Sequence, residues 1–332
     1  MAGDRPHEFE LIKRYFAPLA TDPGSLGLTD DASVYTPAPG MELVLTKDML
    51  AADVHFFAGD PPEAIAAKAL RVNLSDLAAK GARPRAYLLG LGLPDDWSAE
   101  WLERFASGLS GDQAAFDVAL AGGDTIRSGQ SLQLSITAIG EVPEGTAVRR
   151  TGGRAGDLLY VSGTIGDAAA GLKERLDPGL LARNGLDEDG IQHLLTRYLL
   201  PQPRVRLAET IRLHAHAAMD VSDGLLADAA HMAKASRLSL TIDLDKVPLS
   251  APMRQLQTMA PELFLSALSG GDDYEILSLV PPEQTAAFEA AALSAGCPVT
   301  CIGVAGKCEG GVSLLRNDQP LDLETIPGFR HF

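Results

Sequence analysis

The chain has 332 residues, 46% of them hydrophobic and 22% charged, which is long enough for two domains and apolar enough to bury a large core. Its 28 basic and 44 acidic residues give a formal net charge of −16 at pH 7. A chain with this charge repels phosphate backbones, which argues against DNA or RNA as its main partner. An anionic substrate would need cations to bring it in.

The first half of the chain is predicted to mix helices with strands. Helices are predicted at 8–16, 61–80 and 99–115, and strands at 42–45, 86–93, 118–121 and 132–138. The strand at 42–45 is predicted to end in the polar sequence Thr46-Lys47-Asp48. On the second helix, Asn73, Asp76 and Lys80 are spaced so that they share one face.

The second half repeats this mixture after a segment rich in glycine and arginine. Residues 141–157 have the composition of a linker, so we place a domain boundary near residue 148 and predict domains at 1–148 and 149–332. Beyond it, strands are predicted at 158–162, 238–244, 274–280 and 299–304, and helices at 192–199, 205–214, 225–234 and 283–295. The fold class is therefore α+β, or mixed α/β.

The cysteines and the apolar stretches predict a cytoplasmic protein without a membrane segment. Cys297, Cys301 and Cys308 cannot form a closed disulfide set, and their spacing is not that of a zinc site. The longest apolar stretch, 86–93, is far shorter than the roughly 20 residues that a membrane-spanning helix needs. Residues 1–16 contain no apolar run of signal-peptide length.

The motifs of the best-known phosphate-binding and hydrolytic enzymes are missing from the sequence. It has no G-x4-G-K-[ST] loop, no G-x-G-x-x-G followed by a suitable acid, and neither H-R-D nor D-F-G of the protein kinases. It also lacks H-E-x-x-H and G-x-S-x-G, which argues against zinc proteases and serine hydrolases.

What recurs instead is aspartate beside glycine or another small residue, at 30–32, 46–48, 73–76, 122–125, 220–224 and 270–275. Glycine lets a backbone turn tightly and approach a ligand, and aspartate offers the hard oxygen ligands that Mg²⁺ prefers. Any one such site is as easily a turn or a helix cap. Six of them favour a shared metal site, because divalent ions would allow acidic side chains to surround a polyphosphate.

Five strings carry a resemblance to a known family: GLTDDASV, AAKALRVNLSDLAAKGARP, AGGDTIRS, MDVSDGLLADAAHMAKAS and LSGGDDYEIL. In this order they closely resemble the thiamine-monophosphate kinase family, over a similarity that runs from about residue 8 to the C-terminus. The combination of NLSDLAAKGA, GGDT and SDGL is specific, although each alone would be weak. That family belongs to the PurM-like ATP-binding superfamily of aminoimidazole ribonucleotide synthetase.

The resemblance implies an N-terminal domain that binds ATP and Mg²⁺ and dimerises through its sheet, followed by a C-terminal α+β domain. The implied reaction moves the γ-phosphate of ATP onto thiamine monophosphate and gives thiamine diphosphate and ADP. The implied partners are these small molecules and a second copy of the chain. No catalytic general base is expected, because a phosphate monoester loses its second proton at about pH 6 and is already a nucleophile at neutral pH. In-line transfer assisted by metal ions would suffice.

The resemblance also assigns roles to individual residues. The implied Mg²⁺ ligands are Asp31, Thr46, Lys47, Asp48, Asp76, Asp124, Asp220 and Asp223. The implied ATP contacts are Gly123, Asp124, Arg150 and Ser222, and the implied substrate contacts are His55, Asp272 and Phe329. Read without the family, His55 is a structural or surface histidine, Arg150 a solvated linker arginine, and Phe329 an apolar C-terminal anchor.

Three of these residues depart from the family's usual pattern. Lys47 stands where the family commonly has a small hydroxyl residue, so a backbone ligand would survive the change and a side-chain ligand would not. Asp272 replaces a more usual glutamate and is one methylene shorter. Phe329 lacks the polar atom of the tyrosine or tryptophan often found there.

The sequence is compatible with two other functions. One is another enzyme of the same superfamily, such as selenophosphate synthetase or a purine-pathway synthetase. Selenophosphate synthetase usually carries a reactive cysteine or selenocysteine near its N-terminus, whereas the first cysteine here is Cys297. The other is a nucleotide-binding or metal-binding regulator that has lost turnover, to which only Lys47 and Asp272 point.

Overall fold

The computed structural model describes residues 7–308 and 311–321, which form two compact units. The N-terminal unit comprises residues 7–77 and 83–145, and the C-terminal unit comprises residues 78–82 and the described chain from residue 146 onward. Each unit contains one sheet together with helices. The predicted mixture of helices and strands in both halves is confirmed. No helix within the described ranges is long and apolar enough to cross a membrane.

The N-terminal unit is a four-stranded sheet with the strand order β1-β4-β2-β3. Its elements are α1 (Glu8–Leu11), β1 (Met41–Ala51), α2 (Pro62–Ala79), β2 (Arg83–Pro94), α3 (Ala99–Phe116), β3 (Ala119–Gly129) and β4 (Gln133–Pro143). β2 and β3 are parallel, and the other neighbouring strands are antiparallel. A π-helical turn, Ile12–Phe16, continues α1, so the predicted helix at 8–16 changes its hydrogen-bonding pattern partway along.

The prediction that the first strand ends before Thr46 was wrong. β1 pairs with β4 without interruption from Met41 opposite Pro143 to Ala51 opposite Gln133, so Thr46, Lys47 and Asp48 lie inside the strand. Successive residues of a strand project to opposite faces of the sheet. Thr46 and Asp48 therefore share one face, and Lys47 lies on the other.

Helix α2 packs on one face of this sheet, and on the other face the edge strand β1 is exposed. α2 and α3 are joined by the ion pairs Arg71–Asp112 (2.7 Å) and Arg104–Glu63 (2.8 Å). The even-numbered residues of β4, such as Ile136, are buried on the covered face. On the opposite face, Leu45 and Met49 are 62% and 60% exposed. We call this face, with Leu43, Leu45, Lys47, Met49 and the residues paired with them, the open face.

The C-terminal unit is built on a seven-stranded sheet with the order β11-β10-β7-β9-β5-β8-β6. Its strands are β5 (Leu158–Ser162), β6 (Ala217–Val221), β7 (Ser239–Asp243), β8 (Glu275–Val280), β9 (Val299–Gly306), β10 (Gly311–Arg316) and β11 (Gln319–Leu321). Its helices are α4 (Asp167–Leu176), α5 (Leu180–Arg183), α6 (Glu188–Leu199), α7 (Ala208–His214), α8 (Leu225–Ser236), α9 (Ala251–Met259), α10 (Pro261–Leu268) and α11 (Thr285–Ser294). The sequence did not predict the strands β6, β10 and β11 or the helices α4, α5, α9 and α10.

The segment that follows α2 is part of the C-terminal unit. Lys80 Nζ donates to the carbonyl of Ala218 on β6 at 2.9 Å, and the Lys80 carbonyl accepts from the N–H of Val148 at 3.0 Å. Gly81 has a φ of 73°, and a Cβ there would lie 2.7 Å from Arg212 Cβ, so this turn requires glycine. Lys80 is therefore an anchor within this unit rather than a side chain on the Asp76 face.

Candidate active site

Three predicted metal ligands meet on the covered face of the N-terminal sheet. Thr46 Oγ1 donates to Asp76 Oδ2 on α2 at 2.5 Å. The N–H of Asp48 donates to Asn73 Oδ1 at 3.1 Å, and Asn73 Nδ2 donates to the Ala69 carbonyl one helical turn earlier. These bonds fix β1 against α2, so that Thr46, Asp48 and Asp76 face one another.

The electrostatics of this group fit a cation. Burial raises the pKa of the Asp48 carboxyl, the negative charge of Asp76 raises it further, and His55 opposes the shift. Two carboxylates that repel each other in a half-buried position are stabilised when a divalent ion lies between them. The hydroxyl of Thr46 adds a neutral oxygen of the type that Mg²⁺ accepts.

His55, a predicted substrate contact, lies close enough to Asp48 to affect its titration. Its Nδ1 accepts a hydrogen bond from the N–H of Ala51 at 3.1 Å, so this nitrogen carries no proton. The ring is exposed, which leaves Nε2 able to donate to an anionic ligand. The substrate-binding role of His55 stays a prediction.

A cavity of about 670 Å³ lies in the N-terminal unit, over part of the open face. Gly122, Gly123 and Asp124 of β3 line it, together with Asp31 and Lys47. Its volume is within the range of small-molecule sites. A Cβ at Gly123 would lie 2.0 Å from the Leu89 carbonyl oxygen, so only glycine permits the strands to approach here. The structure thus gathers Asp31, Lys47, Gly123 and Asp124 around one cavity.

In the C-terminal unit, two more predicted ligands lie at the turn from β6 into α8. Asp220 is buried on β6, whereas Asp223 is exposed in the turn. Asp228, in the first turn of α8, accepts the N–H groups of Ser222 (2.9 Å) and Asp223 (3.0 Å) through Oδ2. Burial raises the pKa of Asp228 to about 7 and the charge of Asp223 adds to the rise, whereas the two backbone N–H bonds and the charge of Arg150 lower this pKa.

Asp228 was not among the predicted site residues. The signal for it was an acidic residue at the start of a helix that directly follows a candidate site loop, where it can accept free backbone N–H groups. Through these bonds it shapes the turn that carries Ser222 and Asp223.

The loop before β8 packs against this turn. The N–H of Asp272 donates to the Ser222 carbonyl at 2.8 Å. A Cβ at Gly271 would lie 2.1 Å from the same oxygen, so glycine is required for the contact. Asp272 and Tyr274 have positive φ angles of 72° and 51°, a conformation that costs free energy in residues other than glycine. Neighbouring contacts must hold this loop in place.

Two buried acids on either side of Tyr274 provide such contacts. Asp273 accepts the N–H of Gly166 at 2.7 Å, and burial raises its pKa to about 8. Glu275 is fully buried and accepts from Arg197 (2.9 Å), Arg204 and Ser162. Both acids belong to the aspartate-rich segment 270–275, whose sequence alone does not predict this anchoring role.

The predicted site residues thus fall into three groups. The first is Thr46, Asp48, Asp76 and His55, the second is Asp31, Lys47, Gly123 and Asp124, and the third is Arg150, Asp220, Ser222, Asp223 and Asp272. Phe329 lies outside the described residues. Within residues 7–308 and 311–321, no three carboxylate, imidazole or thiol side chains are already gathered as a metal-binding cluster.

Comparison with known protein families assigns both units. Residues 29–142 match the N-terminal domain model of AIR synthase related proteins, and residues 154–315 match the C-terminal domain model. Fold and matched models together define a two-domain AIR synthase related protein. A curated relative, the thiamine-monophosphate kinase of Caulobacter vibrioides, is 45% identical over 315 residues, covering 93% of this chain and 87% of that protein.

Solved structures agree. The thiamine-monophosphate kinase of Stenotrophomonas maltophilia K279a is 40% identical, with a TM-score of 0.81 over 92% of this chain and 94% of that one. The structure of AaThiL complexed with AMPPCP and TMP is 31% identical, with a TM-score of 0.74 over 97% of this chain and 98% of that one. The chain belongs to the thiamine-monophosphate kinase family, which confirms the resemblance that its motifs carry.

Proposed function

We propose that this chain phosphorylates thiamine monophosphate with the γ-phosphate of ATP and releases thiamine diphosphate and ADP. The observation that carries the proposal is similarity over nearly the whole chain to thiamine-monophosphate kinases, one of them solved with AMPPCP and TMP bound. The cavity beside Gly122, Gly123 and Asp124 adds a site of suitable size and composition for the nucleotide. The function belongs to thiamine diphosphate biosynthesis.

We further propose that Mg²⁺ is the cofactor. Asp48, Asp76 and Thr46 would hold one ion on the covered face, and Asp31 and Asp124 would offer ligands at the cavity. Asp220 and Asp223 supply further carboxylates in the C-terminal unit. Lys47 belongs to this set only through its backbone carbonyl, because its side chain is a cation. Bound Mg²⁺ would neutralise the charge that develops on the transferred phosphoryl group.

The chain's own residues have a limited task in this reaction. The acceptor is a phosphate dianion at neutral pH, so no side chain has to remove a proton from it. The glycine backbone at 122–123 would permit close approach to phosphates. His55 and Asp272 are the residues that we propose orient the substrate. We expect direct in-line transfer with inversion at phosphorus, and retention would instead indicate a covalent phosphoenzyme.

The two rival functions are separated from this one by an acceptor panel. The full chain is incubated with ATP and Mg²⁺, and ADP release is measured with thiamine monophosphate, thiamine, or no acceptor. The proposed kinase releases ADP rapidly only with thiamine monophosphate. A regulator without turnover releases none with any acceptor, and another synthetase of the superfamily is inactive with thiamine monophosphate and active with its own acceptor.

The proposed metal role of the first group is tested by Asp76→Asn. This change keeps the shape of the side chain that accepts from Thr46 but removes a charge needed by the ions. Turnover should fall by at least about 100-fold, because metal ions contribute several kcal/mol to the stability of such transition states. The unfolding temperature should stay near that of the wild-type chain. Near-normal turnover at saturating Mg²⁺ would remove Asp76 from the metal site.

We also propose a homodimer formed through the open face. Leu43, Leu45 and Met49 are 39%, 62% and 60% exposed along the edge strand β1, in one row with Lys47, and a second copy would cover the apolar members of this row. Leu45→Glu should shift the chain toward a monomer in light scattering after size exclusion. Leu293→Glu, at a 75% exposed position on α11, is the matched control and should leave the dimer unchanged. A wild-type chain that is monomeric would refute this assembly.

We also propose that the protein is cytoplasmic and that its two domains meet in the sequence near residue 148. The three cysteines are all free thiols, with Cys297 buried, as is usual for proteins of a reducing compartment. The glycine-rich segment near the boundary lies between the two matched domain models, which end at 142 and begin at 154.

A further inference from the structure

Lys47 occupies a defined place on the open face. The strand register produces two adjacent rows of residues across the sheet, one of Lys47, Thr137, Leu88 and Gly122 and the next of Met49, Ser135, Gly90 and Asp124. Paired residues of neighbouring strands lie on the same face of a sheet. The Lys47 side chain therefore starts one row away from Asp124 and on the same face.

The side chain of Lys47 extends toward the second row. Its Nζ donates to Ser135 Oγ at 2.5 Å, on the strand next to β1. The following residue in that row is Gly90, which has no side chain, and a Cβ there would lie 3.2 Å from Ser135 Cβ. No side chain of this row therefore lies between the Lys47 ammonium and Asp124. Ser135, Gly90 and Asp124 all line the cavity.

The charges around this cavity are unbalanced. Asp30, Asp31 and Asp124 line it with three carboxylates, whereas Lys47 is its one cationic residue among the described lining residues. Phosphate groups cannot approach three carboxylates without positive charge between them. A lysine offers a mobile ammonium with three donors on a long stem, and it needs no metal ion to be charged.

We propose that the Lys47 ammonium is a permanent cation of this cavity that contacts the phosphate groups of ATP directly. The inference rests on the proposed function, because that function places ATP in the cavity. A hydroxyl side chain at this position could only ligate a metal ion or form a neutral hydrogen bond. Lys47 thus makes nucleotide binding in this chain partly independent of Mg²⁺.

The test measures ATP binding by calorimetry with the full chain, in EDTA and across a series of Mg²⁺ concentrations. In EDTA, Lys47→Met should weaken ATP binding by roughly tenfold or more, the size expected for a lost charge-assisted hydrogen bond. Lys47→Arg keeps the charge and should bind within a few-fold of wild type. Lys234→Met removes an exposed lysine on α8 and should leave affinity unchanged. The difference in ATP affinity between wild type and Lys47→Met should become smaller as the Mg²⁺ concentration rises.

Each contrary result has a distinct meaning. Equal ATP affinities of wild type and Lys47→Met across the magnesium series would overturn the role of Lys47 and leave the kinase proposal intact. Wild-type binding that appears only with Mg²⁺ would also overturn the role of Lys47 alone. A wild-type chain that binds no ATP under any condition would overturn both. Thermal unfolding of each variant verifies that a loss of binding is not a loss of fold.

Discussion

The N–H of Asp272 donates to the carbonyl of Ser222 at 2.8 Å and so joins two loops that lie fifty residues apart in the sequence. One loop carries a proposed ATP contact and the other a proposed substrate contact. The hydrogen bond makes the position of each loop depend on the other. Donor and acceptor substrates of a phosphotransferase must be aligned closely, and a shared backbone contact is a direct means to this.

Gly271→Ala tests this dependence. The added methyl group would meet the Ser222 carbonyl oxygen at 2.1 Å, so one loop must shift. We expect turnover to fall by at least about tenfold because displaced groups align substrates poorly. Overpacking should also cost about 1–3 kcal/mol of unfolding free energy. ADP release and urea unfolding measure the two effects.

Gly111→Ala is the matched control for that change. Gly111 lies within α3, and a Cβ there meets nothing within 4 Å. This variant should keep full activity and gain about 0.5–1 kcal/mol of stability, because alanine restricts the unfolded chain more than glycine does. Normal turnover in Gly271→Ala would show that the two loops need not stay in contact.

Asp48→Asn should separate stability from metal binding. Ionised Asp48 is repelled by Asp76 in a half-buried position, so the uncharged amide should raise the unfolding free energy in EDTA, by at most about 1 kcal/mol at this exposure. Wild-type chain should gain about 2.7 kcal/mol from Mg²⁺ at a hundred times its dissociation constant, and the variant much less. Asp96→Asn, at an exposed position, should behave as wild type. Equal stabilisation of Asp48→Asn by Mg²⁺ would exclude Asp48 as a ligand.

Asp273 should make stability depend on pH. Burial raises its pKa from 3.8 to about 8, so between these values the folded chain holds a proton that the unfolded chain releases. The stability attributable to Asp273 is therefore present at low pH and is lost as pH rises toward 8, by up to about 1.4 kcal/mol per pH unit. The asparagine in Asp273→Asn does not titrate. The unfolding free energy of the variant should therefore increase relative to that of the wild-type chain as pH rises.

Urea unfolding at pH 5, 6, 7 and 8 measures that difference. Asp189→Asn, on the exposed first turn of α6, should follow the wild-type pH profile. If Asp273→Asn and wild type run parallel across this range, Asp273 is ionised in the folded chain throughout.

Glu275→Gln should be among the most destabilising single changes in the C-terminal unit. The fully buried carboxylate forms ion pairs with Arg197 and Arg204, whose side chains are 10% and 22% exposed. Its loss leaves two guanidinium groups without their shared anion. Breaking a buried pair of this type costs about 3–5 kcal/mol. Calorimetric unfolding measures the loss.

Glu209→Gln provides the comparison for a surface pair. Glu209 is 76% exposed and lies 3.5 Å from Arg212, so its removal should cost less than about 1 kcal/mol. If Glu275→Gln and Glu209→Gln both lower the unfolding free energy by similarly small amounts, the buried network around Glu275 contributes little to stability.

Fold class and most elements could be predicted because they follow from local periodicity. The strand at 158–162 coincides with β5, and the helix at 99–115 is one residue shorter than α3. The end of β1 was missed because Thr46-Lys47-Asp48 reads locally as a polar turn. Pairing with β4 along its whole length extends the strand there, and strand formation depends on such neighbours more than on local preference.

The residue types of the site could be predicted from the sequence, but the spatial arrangement of these residues mostly could not. Motif order identified the family, but a list of ligands does not reveal that Lys47 lies on the opposite face of the sheet from Thr46 and Asp48. Asp273 and Glu275 were missed as anchors because their partners are remote. Asp273 bonds to a residue 107 positions away, and Glu275 to one 71 positions away, contacts that no local pattern reveals.

Phosphorus NMR of the complete reaction tests the proposed activity most directly. With the purified full chain, ATP, Mg²⁺ and thiamine monophosphate, we expect the monophosphate signal to be replaced by the two coupled signals of thiamine diphosphate. One ADP should form for each thiamine monophosphate consumed. ATP that remains intact, or ADP that appears without any thiamine diphosphate, would contradict the assignment of this chain as a thiamine-monophosphate kinase.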